Sequence, residues 1–147
     1  MKTLIKSYDS KITSNMENIR NLVDCIVKFI YESCENVSDD VIFDIKVILN
    51  ELFQNAIKHG NKEDCSKYVR TKAGIVNKSI IYFVIEDEGE GYNCNCVSDS
   101  CCGLVNEADI IDLKENGRGI LIVKNLCDTI RFNKKGNKVI VLKKLVK

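Results

Sequence analysis

No proline occurs anywhere in the 147 residues, and no glycine- or serine-rich stretch interrupts them, so nothing in the chain reads as an interdomain linker. Internal repeats are absent too. At this length a single domain over residues 1–147, carrying one site, is expected. Nor is there an excess of charge. The 22 Lys and Arg against 21 Asp and Glu leave a net charge of +1, which excludes the basic stripe of a direct nucleic-acid binder and the polybasic patch of a membrane-surface protein. No apolar run approaches the roughly 18–20 residues that a membrane span needs. The opening MKTLIKSYDSK has neither the apolar segment nor the small-residue cleavage site of an export signal. A soluble, cytoplasmic protein is the expectation.

Cysteine, by contrast, is plentiful. Eight of them would suggest a disulfide framework in a small secreted chain. Without an export signal, and with 45% apolar residues available for a core, reduced thiols are the expected state.

Periodicity divides the chain into alternating helical and extended stretches. Lys2 to Ser7 reads as a short edge strand. Ser14 to Glu17 has the Ser-x-x-Glu form of a capping box, and Ile19, Leu22, Val23, Ile26 and Ile30 follow at helical spacing, predicting an amphipathic helix to about Glu35. Ser38, Asp39 and Asp40 start a second helix, whose Ile45, Ile48, Leu49, Leu52 and Ala56 share one face until Gly60 and Asn61 stop it. Tyr68–Ile75 and Ser79–Glu86 are β-branched and aromatic-rich, joined by the polar turn Val76-Asn77-Lys78, and predict an antiparallel hairpin. A long loop over about residues 88–116 follows, with a short helix around Asn106–Leu113. Gly119–Leu126 is a short apolar helix, and Thr129–Asn133 and Lys138–Val146 form a last hairpin across Lys134 to Asn137. The order βααββαββ predicts an α+β fold, a two-layer sandwich with helices on one face of a mixed, mostly antiparallel sheet.

Three segments place polar or glycine residues where a core would not want them. Glu51 and Asn55 stand four apart on the second helix, so a carboxylate and an amide share a face while the apolar stripe turns to the core. Asp87-Glu-Gly89-Glu-Gly91 closes a strand with an acid and two residues past which a ligand can approach the backbone closely. Asn116-Gly117-Arg118-Gly119 opens a helix whose unpaired N–H groups and positive dipole end suit phosphate. Singly, each has a plain structural reading: a solvated helix face, a turn, a helix cap. His59, the single histidine, and Lys58 lie at a helix C-terminus, where capping carbonyls or complementing the dipole accounts for both.

Taken in this order, the three segments resemble the conserved boxes of the Bergerat-fold ATPases, the superfamily of gyrase, the large heat-shock chaperone, sensor histidine kinases and mismatch-repair ATPases. Glu51-Leu-Phe-Gln-Asn55-Ala-Ile-Lys-His59-Gly60 is similar to the N-box, Asp87-Glu-Gly89-Glu-Gly91 to the first glycine box, and Gly117-Arg118-Gly119-Ile120 to the second. Within the superfamily the chain is most similar to bacterial anti-sigma-factor serine kinases. The resemblance implies ATP and Mg²⁺ as cofactors, with Asn55 on the metal and Asp87 accepting from the adenine amino group. Gly89 and Gly91 would flank the base, and Gly117, Arg118 and Gly119 would hold the polyphosphate. It implies Glu51 as the general base toward a serine hydroxyl. The implied partners are a sigma factor and an anti-anti-sigma protein in a partner-switching system, with a possible homodimer.

Two departures accompany the resemblance. Relatives carry a threonine after the glycine of the last hairpin, and here Gly136 is followed by Asn137 and Lys138. The loop between the glycine boxes is cysteine-rich, with Cys94, Cys96, Cys101 and Cys102 within nine residues. A lid of reduced thiols is the expectation, with zinc chelation and redox sensing as its alternatives. Two other functions fit the same motifs. One is a nucleotide-gated binding module without phosphoryl transfer. The other, a detached histidine-kinase ATPase domain, is disfavoured because no helix ahead of the N-box carries a phosphoacceptor histidine.

Overall fold

A computed structural model describes residues 4–89, 104–105 and 118–145. Its elements run β1 (Ile5–Thr13), α1 (Asn18–Ser33), α2 (Asp39–Asn55), a π turn (Ala56–Gly60), β2 (Tyr68–Val76), β3 (Ile80–Asp87), β4 (Leu104–Val105), α3 (Arg118–Leu126), β5 (Thr129–Asn133) and β6 (Lys138–Lys144). The sheet order is β1-β2-β3-β6-β5-β4. Every pairing among the described residues is antiparallel, so the parallel component allowed for by a mixed sheet is absent from them. The architecture is α+β, with the helices packed on one face of the sheet.

The core follows from two periods meeting. Inward positions of β3 (Ile81, Phe83, Ile85) and β2 (Val69, Ala73, Ile75) alternate with outward ones, and they face the stripes Ile19/Val23/Ile26/Ile30 of α1 and Ile45/Ile48/Leu49/Leu52 of α2. α2 packs against both α1 and α3. Phe53 and Phe83 are fully buried, and truncating either to alanine is worth about 3–5 kcal/mol.

Three local expectations are revised. The first strand is Ile5–Thr13 rather than Lys2–Ser7: its polar middle, Asp9-Ser10-Lys11, pairs in register with Lys72, Thr71 and Arg70, because a ladder is held by backbone groups whatever side chains it carries. Ser14 does not cap α1. It is buried, its Oγ donates to the Lys67 carbonyl at 2.9 Å, and Asn15 Oδ1 instead accepts from the Glu17 N–H. Ser38 does cap α2, accepting from the Val41 N–H at 3.2 Å. α2 ends at Asn55 and passes into five residues of π geometry, closed by the Asn61 N–H on the Ala56 carbonyl at 2.8 Å. The left-handed residues that turn the chain are Lys62 (φ 53°) and Glu63 (φ 57°), not Gly60. The predicted helix around Asn106–Leu113 lies outside the described residues.

Candidate functional site

Asp87 is the last inward position of β3, where the alternation that buries Ile81, Phe83 and Ile85 delivers a carboxylate instead of a hydrocarbon. Its backbone is held by β6: its N–H donates to the Asn137 carbonyl at 2.9 Å, and Asn137 Nδ2 donates to its carbonyl at 3.0 Å. Its side chain is held by the turn that follows, Oδ1 accepting from the Gly89 N–H at 2.8 Å. The end of the π turn lies directly against it. A methyl added at Gly60 would stand 2.3 Å from Asp87 Cγ and Oδ2, and one at Gly89 would stand 2.0 Å from the Gly60 carbonyl oxygen. Glycine is therefore needed at both positions for close approach, and at neither for a left-handed backbone.

A second polar cluster forms one turn of helix earlier. Glu51 and Asn55, both half-buried on α2, face the start of α3. A methyl at Gly119 would lie 2.5 Å from Glu51 Oε2 and 3.8 Å from Asn55 Nδ2. The first turn of α3, whose N–H groups find no acceptor within the helix itself, thus lies beside a carboxylate and an amide, an electropositive backbone end that also suits an anionic ligand. Asn55 Nδ2 is buried without a hydrogen-bond partner, an arrangement that is costly unless a ligand completes it.

Between the two clusters lies a narrow cleft. Leu52, Ala56, Ile85, Ile120, Phe132 and Val139 form apolar walls, and Asn55, Asp87 and Asn137 bring polar groups into it. An apolar cleft with an acceptor in it and a helix N-terminus beside it suits a heterocycle with an attached anion. Of the residues singled out in the sequence, Glu51, Asn55, Asp87, Gly89 and Gly119 are brought to this one place, and Arg118 opens α3. Gly91, Gly117 and the cysteines Cys94, Cys96, Cys101 and Cys102 lie outside the described residues. His59 is exposed and lines the cleft. Cys25, Cys34, Cys65 and Cys127 are free thiols. Among the described residues, no three His, Cys, Asp or Glu side chains group as a metal site.

Three contributors were not legible as site residues. Gly60 reads in sequence as a helix stop and the end of the N-box-like segment, with no role of its own, but it is the surface on which Asp87 rests. Asn137 reads only as a missing threonine, yet it holds both backbone groups of Asp87. Asn61 reads in sequence only as part of the helix stop.

The fold is that of an ATPase-type α+β domain, and the chain belongs to the histidine kinase-like ATPase domain family, whose pattern it matches over residues 12–143. It is similar to the serine-protein kinase RsbW of Staphylococcus epidermidis, 29% identical over 117 residues that cover 75% of this chain and 69% of the relative. The serine-protein kinase RsbW of Staphylococcus aureus (strain Newman) is 27% identical over 117 residues, covering 74% and 68%. No helix among the described residues is long and apolar enough to cross a membrane.

Proposed function

We propose that the protein is a cytoplasmic, ATP-dependent serine kinase, as its relatives are named, that also acts as an anti-sigma factor, holding a sigma factor and phosphorylating an anti-anti-sigma partner, as the motif resemblance implies. The observation that carries this reading is the seat of Gly119 against Glu51 and Asn55, which joins a helix N-terminus, a carboxylate and an unpartnered buried amide at the mouth of an apolar cleft.

In this reading Asp87 accepts from the adenine amino group between Gly89 and Gly91, and Gly117, Arg118 and Gly119 receive the polyphosphate. Asn55 suits Mg²⁺: its amide is buried with an unsatisfied polar atom, a half-turn exchanges its nitrogen and oxygen, and the oxygen is the hard donor this ion takes. The ion would supply charge neutralisation between phosphates. Glu51 takes the proton from the partner's serine hydroxyl as that oxygen bonds to the γ-phosphorus and ADP leaves. Two copies of the chain acting as a homodimer are compatible with this chemistry.

Glu51→Gln tests it. The amide keeps the shape of the side chain but takes no proton, so Mg·ATP affinity is retained while transfer to a serine of the co-purifying partner falls about 10²- to 10⁴-fold. Transfer at the parent rate would remove Glu51 from the base role and favour the nucleotide-gated binding module.

A further inference from the structure

Asn61, the first residue beyond the π turn, has a fully buried side chain, 0% exposed. Its amide is engaged in three directions. Nδ2 donates to Ser14 Oγ at 2.6 Å and to the Tyr68 carbonyl at 2.9 Å, and Oδ1 accepts from the Glu88 N–H at 2.7 Å. Two of these bonds run into the scaffold, where Ser14 passes the chain on to Lys67 between the end of β1 and the start of β2. The third alone reaches the site, because Glu88 sits between Asp87 and Gly89. The Glu88 carboxylate closes the loop by accepting from the Tyr68 N–H.

We propose that Asn61 is a positioning residue for base recognition: through the Glu88 N–H it fixes the depth and direction of the Asp87 carboxylate, and so sets the preference of the cleft for a purine bearing a 6-amino group. This rests on the proposed role of Asp87 as the adenine acceptor. The surroundings leave no slack for Asp87 to find its place unaided. Gly60 and Gly89 already lie closer to it and to each other than a single methyl would allow, so a displacement of Glu88 is passed directly to the residues on either side. A buried acceptor that must meet one substrate N–H discriminates only as well as it is held, since misalignment weakens the hydrogen bond steeply while leaving the apolar contacts to the base intact. A fully satisfied buried amide is a stiff support for that purpose.

The three directions of the amide make the proposal separable from a purely structural role. Ser14→Ala removes two scaffold bonds, the one from Asn61 and the one to the Lys67 carbonyl, and leaves the bond to Glu88, whereas Asn61→Ala removes all three bonds of the amide. Calorimetric Kd values for Mg·ATP and Mg·ITP, whose base carries a keto oxygen in place of the 6-amino group, are measured for the wild-type chain and both variants, together with Tm. The expected result is a wild-type preference for ATP that falls by about tenfold or more in Asn61→Ala. In Ser14→Ala the expected result is a lowered Tm with the ATP/ITP ratio within about twofold of wild type. An unchanged ratio in Asn61→Ala, or an equal loss in Ser14→Ala, overturns the positioning role while leaving the ATP site standing. A wild-type chain that binds neither nucleotide overturns both. If Asn61→Ala does not fold, hydrogen exchange at the wild-type Glu88 N–H decides. Occupying the site with Mg·ADP should slow it about tenfold or more, and an unchanged rate overturns the proposal.

Discussion

Replacing Gly60 with alanine separates two reasons for a glycine at the end of a helix. If Gly60 were there to adopt a left-handed backbone, alanine would be strained wherever its side chain pointed. Gly60 is not left-handed, however, and the added methyl would instead strike Asp87, 2.3 Å from Cγ and Oδ2 and 2.6 Å from Oδ1, about 1 Å inside ordinary contact. Asp87 is nine-tenths buried and tied to the Gly89 N–H, so moving aside into the cleft would break that bond. Overpacking of this kind costs about 1–3 kcal/mol, and losing the bond to a charged acceptor adds about 1.5–3. Better helix propensity returns about 1 kcal/mol. The net is a destabilisation of about 2–5 kcal/mol, a Tm lower by about 5–20 °C. The decisive assay is a double-mutant cycle by thermal or denaturant unfolding. In an Asp87→Ala background, Gly60→Ala should become neutral or stabilising, a coupling of about 2 kcal/mol or more. A penalty that persists undiminished without the Asp87 carboxylate would refute the close-approach explanation.

Gly119→Ala should behave differently, because the group it strikes is the half-exposed end of a flexible glutamate. Stability should be unchanged or slightly raised by helix propensity, while displacement of Glu51 by about 1 Å should lower phosphoryl transfer about 10²-fold; equal activity of the variant in a transfer assay would argue against the site. Among the described cysteines, burial pushes the Cys34 and Cys127 thiols up, while Cys25 and Cys65 are exposed. Alkylation of the folded protein followed by peptide mapping should label Cys25 and Cys65 well ahead of the other two. A thiol raised in the folded state stabilises fully below its unfolded value of about 8.5, and that contribution is lost as pH rises through the folded value. Unfolding titrations should therefore show stability declining on the alkaline side, and a stability that rises there would contradict the burial of these thiols.

The long periodic elements were legible because burial and periodicity agree in them. Ile45, Ile48, Leu49 and Leu52 fall on one face in sequence and are buried together in the fold, and the Asn77-Lys78 turn takes the left-handed backbone that a tight hairpin demands. β1 was misplaced because an edge ladder can carry Asp9-Ser10-Lys11 without showing the apolar alternation that announces a strand. The Ser14 capping box failed because its hydroxyl had a better use in the tertiary structure, in a network joining Lys67 and Asn61. In the candidate site, Glu51, Asn55, Asp87, Gly89 and Gly119, which the fold brings together, stand out in the sequence because carboxylates, amides and glycines are out of place on core-forming elements. The supports of Asp87 were not. Gly60, Asn61 and Asn137 act through contacts with residues 27, 27 and 50 positions away along the chain, and a distance of that kind leaves no local pattern.

Equilibrium binding of Mg·ATP is the most direct test of the cleft as an adenine-nucleotide site. Saturation at about a hundred times Kd should stabilise the fold by about 2.7 kcal/mol, seen as a rise in Tm with a calorimetric isotherm of one nucleotide per chain. Asp87→Asn should abolish most of that rise, and Asn55→Ala should remove the part that depends on Mg²⁺. A wild-type chain whose Tm is unmoved by saturating Mg·ATP and Mg·ADP, and which gives no binding heat, would contradict the assignment of the cleft and every role drawn from it.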